Sequence, residues 1–101
     1  MERGGYIYIM TNEHNTTFYI GVTSNLSARI WEHKNNVFSK SFTSRYNLHK
    51  LVYFETYESI EIAISREKQL KRWRREWKLN QIKSINPDFI DLYESIKEDY
   101  T

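Results

Sequence analysis

Phe18 to His33 reads FYIGVTSNLSARIWEH, and the arrangement of the whole chain follows from this stretch. Phe18, Ile20 and Val22 alternate as a short apolar strand, Thr23-Ser24-Asn25 supplies a turn and a capping side chain, and Leu26 and Ile30 begin a helical apolar stripe. Side chains alternate along a strand, so Tyr19 points away from Phe18, Ile20 and Val22, beside the bare backbone of Gly21. Arg29 and His33 lie four apart and share a helix face. A phenol, a guanidinium and an imidazole therefore emerge at one strand-to-helix junction, a combination suited to a phosphate.

Upstream, Gly5-Tyr6-Ile7-Tyr8-Ile9-Met10 alternates in the same way, with Gly4-Gly5 permitting a turn into it. If it pairs with Thr17–Val22 as a hairpin through Thr11–Asn15, Tyr6 and Tyr8 share a face with Tyr19. The set Tyr6-Ile7-Tyr8, then Tyr19-Ile20-Gly21, then Arg29 ten residues past Tyr19 and His33 four later, resembles the GIY-YIG nuclease domain. It is most similar to the small stand-alone branch related to the nuclease domain of the bacterial excision-repair enzyme. Two positions depart from that pattern: Val22 stands where repair-type members carry a lysine, and His33 where many carry a tyrosine. The family's late asparagine has no secure match; Asn80 and Asn86 are the candidates, and Asn86 reads better as a helix cap.

The remaining elements follow from periodicity. The first helix is expected from Leu26 to Asn35, and Val37–Asn47 (VFSKSFTSRYN) reads as an ordered loop without either clean period. In it Lys40 and Arg45 alternate with Phe38, Phe42 and Tyr46, which suits single-stranded or distorted nucleic acid or, equally, a loop pinned by its own aromatics. Leu48–Thr56 has the β-branched and aromatic content of a third strand. A long helix opens at Glu58 or Ser59 and runs to Ile82 or Lys83, its core stripe passing through Ile60, Ala63, Ile64, Leu70, Trp73 or Arg74, and Trp77. Asn86-Pro87-Asp88 then signals the start of a last helix carrying Phe89, Ile90, Tyr93 and Ile96, with Glu98–Thr101 fraying. The order β-β-α-β-α-α predicts an α+β domain over residues 1–101, a three-stranded antiparallel sheet flanked by helices, and the resemblance implies the same.

Composition narrows the class. The 101 residues are 40% apolar and include 16 aromatics, enough for a modest core despite a mean hydropathy of −0.74. Without cysteine there is no disulfide or thiolate chemistry, and His14, His33 and His49 have no zinc-site spacing. No run approaches the roughly 18 apolar residues of a membrane span, and no leader is apparent, so a soluble cytoplasmic domain is the expectation. The net charge of +2 is small but uneven. Seven of the 15 basic residues fall in Arg66–Lys78 (REKQLKRWRREWK), where Lys68, Lys71, Arg72, Arg75 and Lys78 could neutralise phosphates, or could form the solvated side of an amphipathic helix.

Glu67 falls on the apolar stripe of the long helix, where an unpaired carboxylate is costly. By resemblance it is the family's metal ligand, and Mg²⁺ or Mn²⁺ is the implied cofactor; Mg²⁺ often takes only one or two protein carboxylates. The resemblance also gives Arg29 the scissile phosphate, and Tyr8 and Tyr19 the task of orienting or deprotonating water. A free phenol has a pKa of about 10, so only roughly 0.1% is ionised at pH 7. His33 is the natural helper. Each residue alone has a plain structural reading: tyrosines as sheet packing, Arg29 and His33 as helix surface, Glu67 as the partner of Lys71 at i+4. Jointly they predict a metal-dependent DNA endonuclease, structure-selective in repair or processing, with RNA left open. The alternative is a module that binds nucleic acid without cutting it.

Overall fold

Two apolar stripes on opposite faces of one sheet organise the fold, and each recruits its own helices. The computed structural model describes residues 4–97. Strand β1 (Gly5–Thr11) lies at the centre, antiparallel to β2 (Phe18–Thr23) and to β3 (Lys50–Tyr57). One face carries Ile7, Ile9 and Ile20, which pack on Ala63 and Leu70 of α3 (Ile60–Lys71) and Ile82 of α4 (Arg75–Ile85). The other carries Tyr8 and Met10, which pack on Leu26 and Ile30 of α1 (Leu26–Lys34), on Leu48, and on Leu51. The expected α+β sandwich, with helices on both sides of a three-stranded antiparallel sheet, is the observed one.

Gly5 lies inside β1 rather than in a turn leading into it, and its role there is close approach. A β-carbon would meet Ile60 Cα at 2.7 Å and Ala63 Cβ at 2.8 Å, so the missing side chain lets α3 lie directly on the sheet.

Three elements differ from their sequence-based outlines. The segment expected as loop contains a one-turn helix, α2 (Phe42–Arg45), whose N-cap Ser41 accepts from the Ser44 N–H. The long helix ends at Lys71 and restarts at Arg75, although neither Gly nor Pro interrupts it. A continuous helix from Ile60 to Lys83 would extend about 36 Å, well beyond strands of about 20–27 Å. The break folds Trp73, Leu79 and Ile82 back over the sheet, while Trp77 and Ile64, expected in the core stripe, stay exposed. The last helix is only Tyr93–Ile96 (α5), not a helix opening at Pro87. Asn86 instead closes a turn: its buried amide donates to Val52 O and Ile90 O and its Oδ1 accepts from the Ile90 N–H. Phe89 adopts φ 52° and enters the core against Phe18. That left-handed backbone costs about 1–2 kcal/mol, comparable to what burying the ring returns. The fraying expected at Glu98–Thr101 lies outside the described residues. Among the described residues no helix is long and apolar enough to cross a membrane.

Candidate active site

The β1–β2 register sets Tyr8 opposite Gly21 and Met10 opposite Tyr19, so both phenols occupy the face covered by α1. Their ring centroids are 6.2 Å apart. Tyr8 is only 1% exposed, and its ring lies over Gly21. Helix α1 starts at this junction because Asn25 Oδ1 accepts from the Ala28 N–H. One and two turns later it delivers Arg29 and His33.

His33 is buried and bonded at both ring nitrogens. Nε2 lies 2.9 Å from Tyr8 Oη, and Nδ1 lies 2.8 Å from Thr43 Oγ1. The Arg29 charge lies near the Tyr8 hydroxyl and lowers its pKa against the effect of burial, which favours an O–H directed away from the guanidinium. The phenol's own proton then needs an acceptor, and His33 Nε2 is the one in reach. The tautomer that fits this orientation has Nδ1–H donating to Thr43 and Tyr8 O–H donating to Nε2. Burial, aided by the Arg29 charge, pulls the His33 pKa down to about 4, so the ring is neutral near pH 7. Burial pushes the Tyr8 hydroxyl well above the usual phenol range, with Arg29 opposing, so Tyr8 remains protonated.

Arg29 is steadied from two further sides. Its Nη1 lies 3.3 Å from Glu32 Oε1, and its guanidinium sits 5.3 Å from the centre of the Phe38 ring. Tyr19 meets His33 edge-on at 5.8 Å and stacks on Phe42 at 6.2 Å; Phe42 in turn packs on Tyr46 at 4.7 Å. A row of rings thus leads from solvent to the buried Tyr8–His33 pair.

The structure joins Tyr8, Tyr19 and His33 by direct contacts with the Arg29 charge near Tyr8, and carries Glu67 on a different element. Helix α3 packs on the opposite face of the sheet, and Glu67, with a side chain 14% exposed, pairs with Lys71 at 3.4 Å. No hydrogen bond or ion pair links it to the tyrosines or to Arg29 among the described residues. Its connection is through Lys71, which lines a cleft with Tyr19, Phe42, Phe18, Ile20 and Lys78. Among the described residues no group of three or more His, Asp or Glu side chains gathers in one place. A lone carboxylate of low exposure, opposed by one loosely held lysine, is a poor zinc site but a fitting donor for a hard ion that keeps most of its water.

The basic candidates are dispersed. Lys40, Arg45, Lys68, Lys71 and Arg72 are exposed, on two different segments. Because the helix breaks, Arg75 belongs to a separate element from Lys68 and Lys71. It reaches the β1–β2 hairpin, donating to Thr16 O at 2.8 Å with its guanidinium over Phe18. Sequence reasoning missed Thr43 and Glu32 as neighbours of the site. Only Ser41-x-x-Ser44, a capping pattern inside an aperiodic segment, hinted at the turn that carries Thr43 inward.

Residues 4–80 match the GIY-YIG catalytic domain. The chain is 34% identical over 83 residues to a UPF0213 protein of Syntrophus aciditrophicus (strain SB), covering 82% of this chain and 93% of that protein. It is 39% identical over 79 residues to a UPF0213 protein of Clostridium perfringens (strain 13 / Type A), covering 78% and 83%. The solution NMR structure of a UPF0213 protein from Bacillus halodurans shares the fold with a TM-score of 0.55 at 20% identity, over 94% of this chain and 99% of that one.

Proposed function

The chain belongs to the GIY-YIG catalytic-domain family, and from that membership we propose that it is a metal-dependent endonuclease that hydrolyses phosphodiester bonds in DNA. The observation that carries this reading is the hydrogen-bonded line Thr43–His33–Tyr8, with the Arg29 charge near the phenol.

A phosphodiester resists attack chiefly because charge gathers on phosphorus and the nucleophilic water must lose a proton. Arg29 supplies a planar fork for two phosphate oxygens. Tyr8, protonated at rest, accepts the water's proton on Oη as it passes its own proton to His33 Nε2. The imidazole is neutral near pH 7, so Nε2 is open to that proton while Thr43 holds the other nitrogen. Tyr19 flanks the attacked phosphorus and orients the water. Glu67 would hold Mg²⁺ or Mn²⁺, which when bound supplies positive charge against the phosphate and the departing oxygen. Lys40, Arg45, Lys68, Lys71, Arg72 and Arg75 contact flanking phosphates, and residues 1–101 act as one cytoplasmic domain in DNA repair or processing.

The test is a cleavage panel of duplex, branched and single-stranded DNA, with RNA alongside, in Mg²⁺ or Mn²⁺. Tyr8→Phe, Arg29→Ala and Glu67→Gln should each lower the rate by about a hundredfold or more without changing the circular dichroism spectrum. Wild-type protein that cuts nothing on the panel but still binds with a steep salt dependence would replace this reading with a binding module.

A further inference from the structure

We propose that the cleft beside Tyr19 takes an unpaired nucleobase, stacked on Phe42, so that the substrate is single-stranded at the position next to the cut. This rests on the nuclease reading and adds to it the form of the substrate.

Three large rings on the segment following α1 face solvent: Phe38 is 52% exposed, Phe42 46% and Tyr46 49%. Packing does not require them there, since the segment is anchored by Thr43, which is 2% exposed. Phe42 is nonetheless held by ring contacts with Tyr19 and Tyr46, while 46% of its surface stays open. An exposed but immobilised aromatic face is an unfavourable surface unless something flat covers it.

The chemistry of the cleft says what covers it. Its lining joins the rings of Tyr19, Phe42 and Phe18 and the apolar Ile20 with Lys71 and Lys78. Rings and ammonium groups in one cleft match a nucleotide, whose base is flat and whose phosphate is anionic. Tyr19 also touches His33 and Tyr8, so a base on Phe42 lies two ring contacts from the hydrogen-bonded pair. In a duplex the faces of each base are already covered by its neighbours, and only edges and phosphates are presented. Phe42 offers a face, and only a base released from its stack can use one.

The experiment measures binding without metal, so that cleavage plays no part. Fluorescein-labelled oligothymidylate and a blunt duplex hairpin of equal charge are titrated in EDTA and followed by anisotropy. Wild-type protein should prefer the oligothymidylate. Phe42→Ala should weaken that binding about tenfold and leave the duplex nearly unaffected, while Phe42→Trp should retain it. Phe42→Leu keeps apolar packing on Tyr19 but offers no ring, so it must lose as much as the alanine variant. The Lys71→Ala/Lys78→Ala pair should flatten the salt dependence by about two phosphates' worth. Equal wild-type affinity for both probes, or a leucine variant that binds oligothymidylate like wild type, overturns the proposal. Protein that cuts DNA but shows no such preference loses this inference alone. Protein that shows the preference but never cuts keeps it and loses the nuclease reading.

Discussion

Tyr8 and Gly21 share one space: a β-carbon on Gly21 would stand 2.3 Å from both Cζ and Oη of the tyrosine. The glycine is therefore the seat of the phenol rather than a flexible point in β2. Gly21→Ala must displace a ring that is 1% exposed and bonded to His33, at an expected cost of about 1–3 kcal/mol in urea melts. Tyr8→Phe would not relieve the clash, because Cζ remains. Tyr8→Ala would, so the Gly21→Ala/Tyr8→Ala double variant should be less destabilised than the sum of the two singles. Additive losses would show that the ring can move aside at no cost.

Thr43 acts on Tyr8 only through His33, which makes it a positioning residue. Thr43→Val keeps the shape and removes the hydroxyl, leaving Nδ1–H buried without an acceptor, at a cost of about 1–3 kcal/mol. The ring is then free to put its proton on Nε2, where it can no longer accept from the phenol. Nitrogen NMR of the imidazole should report that shift of tautomer, and cleavage should fall in parallel. Thr43→Ser should restore both. A valine variant with wild-type tautomer populations would show that Tyr8 and Arg29 suffice to hold the ring.

Much of this architecture is legible where period two or period 3.6 operates over a whole element. The alternation around Ile7, Tyr8 and Ile9, and again around Tyr19, Ile20 and Gly21, sorts side chains to the two faces, because a one-residue slip would reverse every one of them. Arg29 and His33 meet Tyr8 for the same reason, with the i,i+4 relation adding the helix. The break after Lys71 is not legible: no breaker residue occurs there, and the stop comes from the need to fold Trp73 and Ile82 back onto a short sheet. Phe89 at positive φ is equally silent in sequence, since Asn86 imposes it through hydrogen bonds to Val52 and Ile90. Thr43 stays hidden because nothing periodic connects it with His33, ten residues earlier.

Glu55 fastens α3 to β3. Its carboxylate accepts from Arg66 Nε at 2.9 Å and Nη2 at 3.1 Å, and from the hydroxyls of Tyr57 and Tyr53. Burial alone would raise its pKa, but Arg66 and the two phenols outweigh that and hold it below the usual carboxylate range. Arg66→Met should leave the charge stranded and cost about 2 kcal/mol at pH 7; Glu55→Gln in addition should recover part of the loss. The sign in acid follows from the depressed value: the stabilisation is complete above the unfolded pKa of about 4.3 and disappears as pH falls through the folded one. Urea melts of wild type and Glu55→Gln should accordingly converge in acid, and a constant gap across that range would remove the charge from the account.

His33 gives an acid signature of the same sign, in a higher pH window. Its pKa falls from 6.5 to about 4 on folding, mainly because burial penalises the cation and secondarily because Arg29 is near. As pH drops below about 6.5, unfolded chains take up a proton that the folded ring refuses, so stability declines until about pH 4, where both states are protonated. At about 1.4 kcal/mol per unit the loss totals about 3 kcal/mol. His33→Gln has no such group. The difference in urea-melt stability between wild type and this variant should therefore shrink or reverse from pH 7 to pH 4, even though the variant starts lower for want of the Tyr8 and Thr43 bonds. The same depressed pKa keeps Nε2 free to accept the phenol's proton at neutral pH, so histidine NMR should show an unprotonated ring down to about pH 5. Parallel stability profiles for the two proteins, or an imidazolium signal at pH 6, would mean that the ring is hydrated and that the line from Thr43 through His33 to Tyr8 does not exist in solution.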